Sequence, residues 1–173
     1  MKLLATLSAA AALGLPGIQV GPAPWFPEWN SLAARLRADG LPVLSAEAFV
    51  VHIHQHLDLY VRGKHEPIPA LIGINVKERY LSPFHTHDFS GVIHVESPTR
   101  RTFTLGQFWD VYGVRFDSHC VGGVCGRVRV WVNGRRWTGS PRAVVLRSHE
   151  EIVVAVGAPP ARIPRRYGFP AGF

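Results

Sequence analysis

Histidines are concentrated in one part of this sequence. Seven of the nine lie between His52 and His94. Neutral imidazole is the commonest metal ligand in proteins, and zinc, copper, nickel and iron all accept it. Two short stretches, FVVHIHQHLDLYV and HTHDFSGVIHVES, carry six of these seven histidines. An H-x-H spacing places both imidazoles on one side of an extended strand, so the sequence predicts a transition-metal site.

The first stretch, residues 49–61, alternates between apolar and polar side chains. A period of two is typical of a half-buried strand, and the odd positions from Phe49 to Val61 form the predicted core face. The even positions form the opposite face, which is expected to be polar. They are His52, His54, His56, Asp58 and Tyr60.

The second stretch predicts a β-hairpin that turns at Ser90-Gly91. A two-residue loop would place His87 opposite His94 and His85 opposite Glu96, with Cβ atoms roughly 5 Å apart in each pair. A four-residue loop would still keep all four side chains on one face. A three-residue loop would divide them between the two faces.

The hairpin supplies the first predicted ligand set, His85, His87 and His94, because these residues meet without any long-range contact. Glu96 is predicted as a fourth ligand, as the group that orients an imidazole nitrogen, or as a catalytic base. A second set completes the same site if its strand lies beside the hairpin. It comprises His52, His54 and His56, with Asp58 as a supporting residue.

These candidates outnumber the ligands of one ion, so either two ions bind or some histidines only support the ligands. The other polar residues have structural interpretations. Asp88 is expected to point away from the site and to cap the turn. His65, His119 and His149 fall in loops or turns and are expected to be structural or solvated.

Histidine and carboxylate ligands favour zinc or copper, and iron or manganese only if Glu96 binds.

The chain has no serine-nucleophile motif, glycine-rich phosphate loop or H-E-x-x-H helix. A metal-bound water is therefore the most economical enzyme mechanism, in a hydrolase or lyase, with a copper or iron oxidoreductase as a further alternative. The sequence predicts metal binding and leaves enzymatic activity open. Two alternatives need no metal, a solvated histidine-rich face and a pH-responsive cluster.

The first 23 residues predict a signal peptide or an uncleaved N-terminal anchor, with an apolar run from Leu3 to Leu15. Cys120 and Cys125 lie in CVGGVC, and in an oxidising compartment they are predicted to form a disulfide. The alternative is a pair of thiolate metal ligands next to His119. These features predict an exported protein that is extracellular, periplasmic or associated with the cell envelope.

The net charge of +7 is unevenly distributed. Residues 97–173 hold 12 Lys and Arg against 4 Asp and Glu, whereas residues 1–96 hold 7 against 8. A basic surface favours weak association with an anionic cell surface. No nucleic-acid-binding motif accompanies the arginines, so nucleic acid is not an expected partner. The rival to a metal protein is a secreted basic interaction module with incidental or pH-sensing histidines. No pattern indicates an oligomeric state.

An apolar content of 47% excludes disorder for most of the 173 residues. The predicted fold is α+β, mostly antiparallel β with one short core helix, and similar to a β-grasp core. The alternative is a β-sandwich or small barrel. The core helix is expected in FTLGQFWDVYG, which opens with a T-x-x-Q capping box. Further strands are predicted in HEPIPALIGI, in VRVWVNGRRW with its Asn-Gly turn, in AVVLR and in EIVVAVG.

The predicted organisation has four segments. The leader or anchor (1–23) is followed by a proline-rich lead-in (24–47), which contains a short helix from Asn30 or Ser31 to Gly40. The histidine-rich β domain (48–157) comes next, and a proline-rich C-terminal tail (158–173) is predicted to extend across the surface.

The segments HIHQHLDLYVRGK, HTHDFSGVIHVESPTRRTFTLGQFWDVYGV, VWVNGRRW and SHEEIVVAVG together resemble a group of exported bacterial histidine-rich proteins. The resemblance covers about residues 41–173 and implies one complete domain, but it implies no activity. The H-x-H pattern with a distant histidine also looks like the sites of α-carbonic anhydrases and cupins. This chain is too short for the former and lacks the glutamate spacing of the latter, so no residue role is transferred.

Overall fold

The computed structural model describes residues 14–173, which form two α-helices and eleven β-strands. The helices are α1 (Leu32–Ala38) and α2 (Leu105–Tyr112). The strands are β1 (Val51–Val61), β2 (Lys64–Glu66), β3 (Ile74–Asn75), β4 (Tyr80–Leu81), β5 (Phe84–His85), β6 (Val92–Ser97), β7 (Cys120–Val121), β8 (Val124–Cys125), β9 (Val128–Val132), β10 (Arg135–Arg136) and β11 (Glu151–Val156).

The main sheet has seven strands. Six follow the order β10-β9-β11-β1-β6-β5, and β2 pairs with the end of β1. β1 runs parallel to β11 and antiparallel to β6, and β9 runs antiparallel to β11. The four longest strands lie in the order β9-β11-β1-β6, and α2 lies between β6 and β9 in the chain. This order and these strand directions are those of a β-grasp sheet. The predicted α+β, mostly antiparallel fold is confirmed, and within residues 14–173 this sheet is open rather than closed into a barrel.

One face of the main sheet packs against α2 and forms the core. The alternate residues of β6 and β11 that point to this face are buried, as are those in the middle of β1, whereas the two ends of β1 are partly buried. Burial of each large side chain contributes about 1.5–3 kcal/mol. The helix contributes Phe108, Trp109 and Tyr112, and the strands contribute Leu57, Leu59, Ile93, Val95, Ile152, Val154 and Val156.

The predicted alternation of β1 is only partly correct. The strand begins at Val51, and Phe49 lies outside it with 71% of its surface exposed, so the prediction of Phe49 as a core residue is wrong. Conversely, His54 and His56 are each only 6% exposed, although they lie on the face opposite the core. The outer face of the sheet is therefore not simply a solvated surface.

The capping box of α2 is present as predicted. The Thr104 hydroxyl accepts a hydrogen bond from the Gln107 amide, and the Gln107 side chain accepts one from the Thr104 amide. The helix ends at Gly113, which has a φ of 77°. A Cβ there would lie 2.9 Å from Glu28 and 3.0 Å from Arg35, so both backbone conformation and close packing favour glycine.

The proline-rich lead-in shares the core of the β domain. Trp25 and Leu36 are buried in it, and α1 lies within the predicted helix with Ser31 as its N-cap. The buried Arg35 guanidinium pairs with the Glu28 carboxylate and donates to the Val111 carbonyl of α2. The predicted leader or anchor falls largely on residues outside the described range. Neither helix within residues 14–173 has the length and apolar character needed to cross a membrane.

Two predicted strands are shorter or absent. In HEPIPALIGI only the first two residues belong to β2, which ends at Glu66. Its last residue, Ile74, begins β3, which forms a separate hairpin with β4. AVVLR is not a strand. A 3-10 turn occupies Pro141–Ala143, and Val145 makes a single bridge to Thr104. Prolines remove backbone donors from both regions, which limits their pairing.

Predicted short-range features of the chain are confirmed. Arg62-Gly63 and Asn133-Gly134 form two-residue turns between paired strands, with positive φ at all four residues. Cys120 and Cys125 form the predicted disulfide across the β7–β8 hairpin, with a Cα–Cα distance of 4.2 Å.

The capping box provides a test of the core helix. We expect Thr104→Ala to lower the free energy of unfolding by about 1 kcal/mol, because it removes one hydrogen bond from a helix terminus. Urea denaturation followed by circular dichroism measures this loss. Thr102→Ala is the matched control, since Thr102 is exposed and precedes the helix. Equal stability of the two variants would contradict a stabilising role for the cap.

Candidate metal centre

Three adjacent strands bring the predicted ligands together. β6 lies between β1 and β5, and His94 of β6 is directly opposite His54 of β1 and His85 of β5. Two residues along the sheet, His52 of β1 is opposite Glu96 of β6. These five residues and His87 are called the central cluster below.

The β5–β6 hairpin has a different register from the predicted one. His85, rather than His87, is opposite His94, and residues 86–91 connect the two strands. A shift of two residues keeps every side chain on its face, and the ring centroids of His87 and His94 are 4.5 Å apart. Asp88 caps the turn as predicted, because its carboxylate accepts a hydrogen bond of 2.8 Å from the Ser90 amide.

The Glu96 carboxylate lies at the middle of the central cluster, and its side chain is 1% exposed. Its Oε1 is 3.4 Å from His52 Nε2, 3.6 Å from His85 Nε2 and 3.6 Å from His94 Nδ1. With metal–ligand distances of about 2.0–2.1 Å, a tetrahedral site separates its ligand atoms by roughly 3.3 Å. The observed spacings are close to that value, so the donor atoms suit a small cation.

His85 has the tautomer of a metal ligand. Its side chain is fully buried, and Nδ1 lies 3.1 Å from the Ser82 carbonyl oxygen, to which it can only donate. Nε2 faces Glu96, and in the neutral ring it is the nitrogen that carries the lone pair. Among the described residues, His85 Nε2, His94 Nδ1 and Glu96 Oε2 are buried and have no hydrogen-bond partner. Three orphaned polar atoms in one place are uncommon, because each costs about 1–3 kcal/mol.

The electrostatics of the cluster favour the protonation states that bind metals. Burial, followed by repulsion from neighbouring imidazoles, lowers the pKa of His94 to about 3. The pKa of His54 is also lowered, by burial and by His52. Burial opposes ionisation of Glu96, but its contacts with His85, His52 and His94 outweigh burial and lower its pKa. At neutral pH His54 and His94 are therefore neutral, and Glu96 is an ionised carboxylate, the states in which these groups bind metals.

Glu47 is a further candidate ligand that the sequence analysis missed. Its carboxylate converges with His85 and Glu96, with donor atoms within 4.8 Å of one another, and lies 3.8 Å from His87 Nε2. Glu47 precedes β1 in an irregular segment, and no periodicity marks it. Only the position of the preceding loop over the sheet brings it to the cluster.

His56 is not part of the central cluster. Its Nδ1 lies 2.8 Å from the Glu151 carboxylate and its Nε2 lies 2.8 Å from the Ser90 carbonyl oxygen. The Ser90 carbonyl only accepts, so Nε2 donates to it, and Nδ1 donates to Glu151 when that carboxylate is ionised. Burial lowers the pKa of His56, but the Glu151 carboxylate outweighs burial and raises it. As a ligand His56 would belong to a separate group with Asp58 and Glu151, whose donor atoms lie within 4.8 Å of one another.

Glu151 is a second residue whose role was missed, because it was predicted only as the first residue of the strand EIVVAVG. It begins β11, and the parallel β1–β11 pairing puts it directly beside His56. The predicted β-grasp order, in which the first and last strands are neighbours, could have indicated this contact. Asp58, predicted as a supporting residue, converges with His56 and Glu151 and accepts a hydrogen bond from His65.

The C-terminal tail covers the histidine face of the sheet. Tyr167 stacks on the His56 ring with centroids 3.9 Å apart, and the Phe173 ring lies 4.8 Å from that of His54. His149 Nε2 donates to the Phe173 carbonyl oxygen at 2.9 Å. The tail is irregular, as predicted, but it packs on the outer face rather than lying free on the surface. This packing explains how the polar side of β1 becomes buried.

Two clefts reach the central cluster. A cleft of about 200 Å³ is lined by Glu47, His87 and Phe173 together with four other members of the cluster. A neighbouring groove of about 450 Å³ shares Glu47 and His87 and is otherwise lined mainly by apolar residues, including Val76 and Leu81. Larger clefts lie elsewhere, among arginines. The cluster is therefore accessible to small molecules at the side of His87.

The shifted pKa of His94 provides a test of the cluster in the metal-free protein. An unfolded histidine titrates near 6.5, whereas folded His94 titrates near 3, so between these values the unfolded chain binds more protons. We therefore expect the free energy of unfolding to fall by a few kcal/mol between about pH 7 and about pH 4.

Urea denaturation at a series of pH values measures this dependence. His94→Gln is expected to reduce its slope, because it removes one group with a depressed pKa. His119→Gln, at an exposed position, is expected to leave the slope unchanged. The same slope in the wild type and in His94→Gln would contradict the buried, neutral state of His94.

Comparison with known proteins found no matching family model, no similar curated protein and no similar solved structure. The chemistry of the central cluster therefore follows from its own donor atoms and their surroundings.

Proposed function

We propose that this chain is an exported transition-metal-binding protein and that the central cluster binds copper or zinc, in metal handling or in metal-dependent catalysis. One observation carries the proposal. His85 is fully buried, with Nδ1 held by the Ser82 carbonyl, and its Nε2, which carries the lone pair of the neutral ring, faces Glu96 at 3.6 Å without a hydrogen bond. Ligating histidines are commonly oriented by such a contact through the second nitrogen.

The alternatives without metal fit this observation less well. A solvated histidine face would expose its rings to water, but His54, His85 and His94 are all at most 9% exposed. A pH-sensing cluster would need imidazoles that gain protons in the physiological range, whereas the pKa of His94 is far below it. A bound cation would satisfy the orphaned nitrogen and oxygen atoms together.

The donor set supports copper or zinc. Five imidazoles and one buried carboxylate are nitrogen-rich, and imidazole suits zinc and copper, whereas manganese prefers oxygen ligands. Export is supported by the predicted leader, by the Cys120–Cys125 disulfide and by the resemblance to exported histidine-rich proteins. A weak association with an anionic surface fits the basic second half, where one cleft is lined by Arg162, Arg165 and Arg166.

Metal analysis of the untagged protein tests this proposal. After reconstitution with Cu²⁺ or Zn²⁺ and removal of free ions, we expect at least about one ion per chain. The double variant His87→Ala, His94→Ala is expected to lose at least about tenfold in affinity, because both residues are donors in the cluster.

The matched control is the double variant His65→Ala, His119→Ala, which removes two histidines outside the cluster and is expected to bind as the wild type does. Less than about 0.2 ion per chain in the reconstituted wild type would rule out the metal-binding function. Equal affinity of the two double variants would show that the ion binds elsewhere.

A second candidate function is that of a metalloenzyme, and the apolar groove beside Glu47 and His87 favours it. Its volume of about 450 Å³ is in the range of small-molecule sites. A bound ion would supply a Lewis acid that acidifies water. Glu47, which is about half exposed, would accept the proton, since Glu96 is enclosed by three histidines and is better placed as a ligand than as a base.

An open coordination position distinguishes an enzyme from a storage protein. If the Cu²⁺-loaded protein is an enzyme, we expect azide to change its visible absorption spectrum, because azide displaces a bound water. Chloride at the same ionic strength is the control. An unchanged spectrum at saturating azide would indicate a closed site and would contradict the enzyme.

A further inference from the structure

The central cluster has more donor atoms than one ion can use. It contains five imidazoles and a carboxylate, and the Glu47 carboxylate lies beside them. A zinc or copper ion in a protein takes about four to five ligands. The surplus could be structural, but among the described residues its buried atoms lack the hydrogen bonds that a structural role would supply.

The donors divide into two halves around β6. One half consists of His52 and His54 of β1, whose donor atoms lie within 4.8 Å of those of His94 and Glu96. The other half consists of His85 and His87, which form a group with His94 within the same distance. In the described part of the chain, the β1 histidines and the β5 histidines belong to different groups.

The two halves share the residues of β6. His94 belongs to both histidine groups, and Glu96 belongs to the β1 group and to a third group with His85 and Glu47. This sharing follows from the register, because a residue of a middle strand has one direct neighbour on each side.

Glu96 has the geometry of a bridging carboxylate. Its Oε1 is 3.4 Å from His52 on one flank and 3.6 Å from His85 on the other, and its buried Oε2 has no hydrogen-bond partner. A carboxylate placed between two cations reduces their mutual repulsion, and paired ions in proteins are typically about 3.5–4 Å apart. Glu47 supplies a second negative charge on the flank of His85.

We propose that the central cluster is a two-ion centre, with one ion on the His52 and His54 side and one on the His85 and His87 side, and with Glu96 between them. This inference rests on the proposed metal-binding function and extends it from a single site to a paired one. His94 contributes a nitrogen to one of the two ions.

The number of bound ions tests the pair directly. The full chain is saturated with Zn²⁺, freed of excess ions by gel filtration and analysed for metal per protein. We expect about two ions per chain. One ion per chain would overturn the pair while leaving the proposed metal binding intact, and no bound ion would overturn both.

Half-site variants locate the two ions. His52→Asn with His54→Asn is expected to keep the ion of the β5 side, and His85→Asn with His87→Asn is expected to keep that of the β1 side. Each would therefore bind half as much zinc as the wild type. His65→Asn with His119→Asn is the matched control and should bind the full amount. Loss of all metal in a folded half-site variant would contradict two separable positions.

Electron paramagnetic resonance of the Cu²⁺-loaded wild type needs no substitution and is unaffected by misfolded variants. Two Cu²⁺ ions about 3.5–4 Å apart couple, so the integrated signal should be well below that of two independent spins. The half-site variants should show the full signal of one isolated ion. Two bound ions with the full signal of two spins would place the second ion away from Glu96 and overturn the proposal.

Discussion

The structure of the site depends on the electrostatic requirement of one buried carboxylate. Glu96 is almost completely removed from water, and an ionised group in such a place is costly unless charges or hydrogen bonds compensate it. His94, which is neutral, supplies polar atoms beside it but no full positive charge. Cations among these donors would compensate the carboxylate and use the free lone pairs at once. This requirement accounts for the convergence of β1, β5 and β6 on one point.

β1 connects two sites with opposite character. At its start, His52 and His54 face β6 and join donors without partners. Two residues further, His56 faces Glu151 of the parallel strand β11 and is fully hydrogen-bonded. The difference between the two sites coincides with the point at which the strand paired with β1 changes from β6 to β11. An H-x-H-x-H motif is thus divided by its surroundings into candidate ligands and a structural ion pair, and Tyr167 of the tail packs on the latter.

Much of this arrangement could be predicted from local patterns. The alternation of apolar and polar residues places the histidines on one face of β1, and the capping box indicates where α2 begins. His85 and His94 stay on the same face of the hairpin although its register differs by two residues, because side chains two residues apart point to the same side of a strand. The roles of Glu47 and Glu151 could not be predicted in this way, because they depend on the path of a loop and on a parallel pairing distant in sequence. The burial of the histidine face depends on the tail, whose aromatic residues follow no period that indicates a partner.

The position of each strand in the sheet also gives the central cluster two unequal sides. β6 is held between β1 and β5, so His94 belongs to the part of the fold that opens only with extensive unfolding. His52 and His54 lie on the long strand β1, in the segment that pairs with β6. β5 is a two-residue strand at the edge of the sheet, and His87 lies just beyond its end. Local opening there requires the loss of few hydrogen bonds. The cluster therefore has a rigid side and a more easily opened side, and a bound ion would exchange with solvent at the second.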